Sequence, residues 1–379
     1  MSRVISLLAV VILPAFALGE QPLSLDGFAD AIHHWRNLHD QTDYPRHAPD
    51  QITAIADNIL LWQRTNGGWR ENEDPSRILD EAERQAVMDA KEATDTSFDN
   101  RNVWPQVNYL AGAYEQTGDV RYRVGSLRGL EFVFKAQHSS GGWPHSFPSK
   151  EGYRRHLTFA DDIIPDQLRL LRQVAAGNSP FGWIPTSVRD RAAEAVKRGD
   201  ACVLILQIRI DGKPTIWAGQ YDADTLTPAK ARSYELPALV SRESVAVVRY
   251  LMSIPDPSPE VVTAIGSAIK WYEENKIVGW RMEEFDIEPE RYEYHTARFD
   301  RRLVEDANAP PLWSRFSDLQ TSKPFLADRD GKKVYTLAEV ERERRTGYDW
   351  YGTWPQSLLD TEYPAWKAKN NDRKASREP

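Results

Sequence analysis

Apolar residues recur at helical spacing along most of the chain. Ile52, Ile55, Ile59 and Trp62 make one stripe. Val107, Leu110, Ala111 and Tyr114 make a second after Trp104-Pro105, with Gly118 just past its end. Leu127, Leu130 and Phe134 make a third behind Asp119, which is placed to cap that helix. The pattern also predicts a helix over 188–206, one starting at Ser241 with Val245, Val248, Leu251 and Met252 inward, and one opened by Ser258-Pro259-Glu260 and running to about Lys276. Cap residues, proline at the first turn and glycine at the last follow from which backbone groups a helix end leaves unpaired. Ser241 reads as an N-cap and Glu243 as a complement to the helix dipole.

The helix ends repeat. Gln63…Gly67-Gly68-Trp69 returns 74 residues later as Gln137…Gly141-Gly142-Trp143, and more loosely as Gln207…Gly212…Trp217, 70 residues after Gln137. Each copy is a helix ending in Gln, a Gly-containing turn, then Trp. A repeat of this length that holds a helix pair predicts a mainly α fold. Its expected form is an α/α toroid-like array of three helical-hairpin repeats, with long irregular loops and short β-strands at segments such as 215–217 and 333–335. From Gly279 to about Trp354 the chain reads as loop-rich and charged. Asp328-Arg329-Asp330-Gly331 reads as a hairpin turn, because an EF-hand frame through Gly331 would put Leu326 and Leu337 at ligand positions.

Composition narrows the classes. Of 379 residues, 41% are hydrophobic and 27% charged, an ordinary globular balance. A net charge of −8 argues against a nucleic-acid partner. Arg3, the apolar run from Val4 to Ala17, and Ala17-Leu18-Gly19 read as a signal peptide over residues 1–19. No later segment approaches a membrane span, and the expected location is secreted or periplasmic. The single cysteine, Cys202, excludes an intramolecular disulfide and reads as a buried hydrophobe. A globular domain is expected over 45–365, acting as a monomer, with a disordered tail over 366–379.

Polar residues gather at three loop–helix boundaries: Asp99-Asn100, Asp161-Asp162, and the irregular stretch from Trp217 to Ser244. Hard oxygen donors on converging loops suit Ca²⁺, but the same residues serve equally as helix caps and Asx turns, and capping is the simpler reading of the pattern. No phosphate loop, zinc motif or serine elbow is present in the sequence.

Several segments together resemble the family 10 pectate lyases. They are Gln63…Gly67-Gly68-Trp69; Phe98-Asp99-Asn100; Gly141-Gly142-Trp143-Pro144; Leu157 to Asp162; Trp217…Gln220…Asp222…Thr225-Leu226…Arg232…Glu235 with Ser241…Glu243-Ser244; Leu312 to Phe316; Arg329-Asp330-Gly331; and Gly347 to Gly352. The resemblance implies Ca²⁺-dependent β-elimination on polygalacturonate. It places calcium ligands at Asn100 and Asp161 with Asp99 beside them, the catalytic base at Arg232, and a cleft arginine at Arg315. Trp143, Trp217 and Asp222 join Arg315 as expected substrate contacts. Two positions depart from the family pattern, Arg101 where a small residue is usual and Ala160 where Asn is usual. Glu235, three residues after Arg232, would pair with it and oppose its deprotonation. A hydrolase pairing Asp161 or Asp162 with Asp222 or Glu235, and a non-catalytic polyuronate binder, stand as alternatives.

Overall fold

The structure, a computed structural model, describes residues 22–149 and 151–375; the expected leader at 1–19 lies outside them. Its helices are α1 (Ala29–His39), α2 (Ile52–Trp62), α3 (Glu81–Asp89), α4 (Trp104–Thr117), α5 (Val120–Ala136), α6 (Ile163–Ala176), α7 (Thr186–Ile205), α8 (Ser241–Met252), α9 (Pro259–Glu274), α10 (Arg342–Thr346) and α11 (Tyr363–Ala375). No described helix is long and apolar enough to cross a membrane.

Helices α4, α6 and α8 are buried over most of their circumference, whereas α5 and α9 bury one stripe each. That difference separates an inner ring from an outer one. The pairs α4–α5, α6–α7 and α8–α9 are the three expected hairpins of an α/α toroid.

The repeated turn is the joint between neighbouring pairs. Gln63 Nε2 donates to the carbonyls of Gly67 and of Gly125 on α5. Gln137 does the same to Gly141 and Ala195 on α7, and Gln207 to Thr215 and Ala264 on α9. Each glutamine therefore closes its own turn and stitches it to the next outer helix. Gly67 and Gly141 sit at φ +96° and +103°, and a Cβ there would lie 2.4 and 2.2 Å from the carbonyl oxygens of Arg128 and Arg198. Only glycine fits.

The tryptophans of these turns point inward. Trp69, Trp143 and Trp217 donate Nε1–H to the carbonyls of Ile59, Val133 and Val203, and Trp313 donates to Tyr272 in the same manner. The fourth copy has no glutamine, and its turn is interrupted by a long insertion, so spacing alone does not reveal it. All four indoles are at most 2% exposed. Trp143 and Trp217 therefore cannot touch a sugar, and the expectation that they bind substrate is corrected: burial and the Nε1–carbonyl bond commit them to the core.

Other differences have local causes. Ser241 is the first residue inside α8 rather than its cap, and its hydroxyl donates to the Ser314 carbonyl. The stretch after Gly279 contains the longest strands, Trp280–Arg291 paired antiparallel with Thr296–Glu305. That hairpin is half-exposed on both faces and breaks register between Asp286 and Glu290, so no clean period-2 signal exists. The short strand expected at 215–217 falls instead at Lys213–Pro214 and Gln220–Tyr221, while Lys333–Val334 pairs with Leu326–Ala327 around Gly331 as expected. The domain begins before residue 45, since Phe28 joins the core and Leu23 and Leu25 pack against it. The disordered tail expected from 366 is helical to 375, anchored by buried Leu358 and by Tyr363 and Trp366 against the core; residues 376–379 lie outside those described.

Candidate active site

The loops at one end of the inner ring converge. Residues 96–103 are held by bonds from Ser97 N–H to Trp69 O, from Phe98 N–H to His145 O, and from the Asn102 amide to the carbonyls of Trp69 and Ser97. Gln106 completes the lock: its amide donates to Asn102 Oδ1 and its Oε1 accepts from Val103 N–H. Asn102 and Gln106 carry no motif signal, yet they fix this loop in a costly conformation. Asn100, Arg101 and Val103 have φ of +50°, +58° and +81°. A β-branched residue at positive φ is a strong outlier.

The facing loop reaches the site through Leu157–Thr158, which pairs antiparallel with Gln220–Tyr221. Gly219 O then accepts from both Phe159 and Ala160. Asp161 and Asp162 follow at φ +51° and +59°, and neither caps α6. The capping expectation fails at this point. Asp162 turns instead to Arg101, which donates to it at 2.6 Å and so ties the two loops together.

Asp99, Asn100 and Asp161 thus come together. Asp99 lies close enough to Asp161 for each carboxyl to act on the other, and 3.2 Å from His145 Nε2. Burial works against its charge, but His145 and its other partners hold its carboxyl well below the usual range. The opposite holds for Asp161, whose carboxyl is pushed up first by burial and then by the Asp99 charge. Asn100 donates its amide to Asn72 Oδ1 at 2.8 Å, which leaves its own Oδ1 as an acceptor. Among the described residues no three His, Cys, Asp or Glu side chains are grouped as metal ligands. The candidate donor set is mixed, two carboxylates and one amide oxygen. Two crowded acids, one of them pushed toward its neutral form, fit a hard divalent cation, because such an ion lets both ionise. His145, which sequence reasoning missed, is the neighbour that keeps Asp99 charged.

Two arginines act on these acids. Arg232 is half-exposed and gripped by Glu235, whose carboxylate accepts from Nε at 2.8 Å and from Nη2 at 2.5 Å. Tyr348 Oη donates to the same carboxylate at 2.9 Å. Burial disfavours the charge on Arg232, yet the Glu235 bonds override it and raise its pKa above the ordinary arginine value. Arg315 is 5% exposed, sits 4.2 Å from the Tyr348 ring centroid and donates to Glu243. Its Nε and Glu243 Oε2 are buried with no partner. Both arginines lie in electrostatic reach of Asp161, and Arg232 also of Asp99. They rest on a satellite core of Tyr234, Phe316, Phe325, Tyr348 and Trp350.

Asp222 holds the turn of the 217–240 stretch: Oδ1 accepts from the N–H groups of Asp224 and Thr225 and from the Thr225 hydroxyl. Its other oxygen pairs with Arg155 at 3.1 Å. Helix α1 lies within electrostatic reach of these groups, since His34 feels the charges of Asp99 and Arg232, and Arg101 feels Asp30.

A family model described as pectic acid lyase matches residues 63–359. Among solved structures, the chain resembles a family 10 polysaccharide lyase from Cellvibrio cellulosa at 27% identity and TM-score 0.69, covering 92% of this chain and 99% of that one. A point mutant of that lyase in complex with trigalacturonic acid matches at the same identity and TM-score, over 91% and 99%. No curated protein sequence matches the chain.

Proposed function

The chain belongs to the pectic acid lyase family, and from that premise we propose that it is a calcium-dependent pectate lyase, secreted or periplasmic. Its reaction would be β-elimination on (1→4)-α-D-galacturonan, releasing unsaturated oligogalacturonates. Polysaccharide lyase chemistry follows from the family, and the substrate class is that of the neighbour bound to trigalacturonic acid. The finer reading is supported by the pressing together of Asp99 and Asp161, next to Asn100 in the chain, within electrostatic reach of Arg232 and, for Asp161, of Arg315.

Asp161 and the Asn100 amide oxygen, with Asp99 beside them, would hold the ion. Bound there, Ca²⁺ would draw charge from the uronate carboxylate and acidify the adjacent C5–H bond. Arg315 supplies the fixed donor for that carboxylate: its unpartnered Nε–H is already desolvated and braced by Glu243 and Tyr348. Arg232 takes the C5 proton. The C5–H electron pair becomes the C4–C5 double bond as the C4–O bond breaks, and the leaving oxygen is protonated from solvent. Glu235 sets the pH dependence. It raises the pKa of the base, so the reactive neutral guanidine gains population only as pH rises, and activity should climb through the alkaline range.

The test is polygalacturonate turnover followed by ultraviolet absorbance of the unsaturated product, with Ca²⁺ and with a chelator. Product that forms with calcium and vanishes on chelation is expected. Release of saturated sugars independent of calcium would overturn the reading.

A further inference from the structure

Residues 70–73 follow the first Gln–Gly–Trp turn and carry three charged side chains, Arg70, Glu71 and Glu73, that no direct hydrogen bond holds. None of the three side chains makes a direct hydrogen bond or ion pair among the described residues, although Arg70, then Arg77 and Arg64, act on Glu73 through space and Glu71 acts on His145. Most of their charged neighbours are paired: Arg77 binds Glu83 and stacks on Trp35 at 4.3 Å, and Arg64 binds Asp95 at 2.8 Å. All three groups line one cavity of about 350 Å³ between α1, the end of α2 and α3. The same cavity is lined by the apolar side chains of Leu38, Trp62 and Val87. Asn72, between the two acids, lines the cavity too, and its Oδ1 accepts from the amide of Asn100. One residue therefore separates this cavity from the candidate calcium loop.

A cavity of this size is ample for a small ligand. Its mixed charge excludes the simplest ones: two glutamates repel a bare anion, and Arg70 repels a bare cation. A fitting ligand brings one anionic acceptor for Arg70, hydroxyl donors for the two carboxylates, and an apolar face for the apolar lining. A uronate ring has all three. We propose that the cavity is a distal subsite for a galacturonate unit of the bound polymer, beyond the units that react. Arg70 takes that unit's carboxylate, Glu71 and Glu73 accept from its ring hydroxyls, and its C–H face lies toward Trp62, Leu38 and Val87. This inference rests on the lyase reading. It also gives α1, which precedes the segment matched by the family model, a role in holding substrate.

The experiment compares wild type with Arg70→Ala and Glu73→Gln on galacturonate oligomers from three to seven units, reading KM and kcat separately. For the longest oligomers Arg70→Ala should raise KM about tenfold, the order carried by one charge-assisted hydrogen bond, with kcat unchanged. The trimer should respond less than about twofold, since it fills the reacting positions alone. Glu73→Gln should show the same length dependence with a smaller amplitude. Equal effects at all lengths, or none, would overturn the inference, and matched thermal melts exclude loss of fold as the cause. Wild-type chain that turns over no oligomer counts against the lyase reading instead. Calorimetric titration with the same oligomers then decides on the cavity alone: selective weakening of the long oligomers by Arg70→Ala sustains it, and equal affinities sink it.

Discussion

The repeat turns and the cleft loops both force the backbone to positive φ, and they do so in opposite ways. At the turns glycine takes the unusual conformation, and the Gln amides and Trp indoles donate to carbonyls. In the cleft the conformation falls on Asn100, Arg101, Val103, Asp161 and Asp162, and like charges are pressed together beside buried atoms that have no partner. The turns minimise local free energy. The cleft spends stability to hold oxygen and nitrogen atoms where a ligand can complete them.

Substitutions can break this division. The largest effect is expected from Arg232→Ala, which should lower kcat about 10³-fold, the range of a positioned general base, while leaving the melting temperature near wild type because the side chain is half-exposed. A comparable loss of fold with the loss of rate would show that Arg232 belongs to the scaffold. Gly141→Ala should do the reverse. Its methyl would meet the Arg198 carbonyl at φ +103°, costing about 3 kcal/mol of stability, with activity per folded molecule retained. Chemical denaturation alongside initial rates checks both halves.

The smallest effect concerns Glu73, whose carboxyl is pushed up to about 7 from 4.5, first by burial. A raised folded-state pKa means the folded chain holds that proton more tightly. The associated stability is complete below about pH 4.5 and lost as pH rises through about 7. Glu73→Gln should therefore be more stable than wild type at pH 8 by about 2 kcal/mol, the full shift discounted for solvent contact, and show little difference at pH 4. An equal difference at both pH values would mean that Glu73 is already solvated or paired.

The scaffold was legible because its signals are local. Gln63, Gly67 and Trp69 act within one turn, so their spacing survives in the sequence, as does the Asp119 cap of α5, which accepts from Arg121 N–H at 2.9 Å. Trp313 escaped notice because its helix carbonyl lies 41 residues upstream, against 10 for Trp69 and Trp143. Aromatic content does not separate core from cleft, so the sequence cannot tell that Trp143 and Trp217 are buried anchors rather than sugar contacts. The site was legible only through ordered resemblance. Asp99, Asn100, Asp161, Arg232 and Arg315 span more than 200 positions and meet through loops whose conformations depend on Asn102, Gln106 and Gly219 elsewhere. The expected grip of Glu235 on Arg232 is present, because an i, i+3 pair in a tight turn needs no distant information.

The tryptophan anchors have a consequence for engineering. Each indole docks on a carbonyl of the preceding outer helix however much chain runs between them: 10 residues in two repeats, 14 in the third and 41 in the fourth. The joint works as a socket indifferent to its payload. Loops of new length and content could be cut in or trimmed between helix end and indole, which would let the rim of the toroid be rebuilt for other polymers while its wheel of helices is left alone.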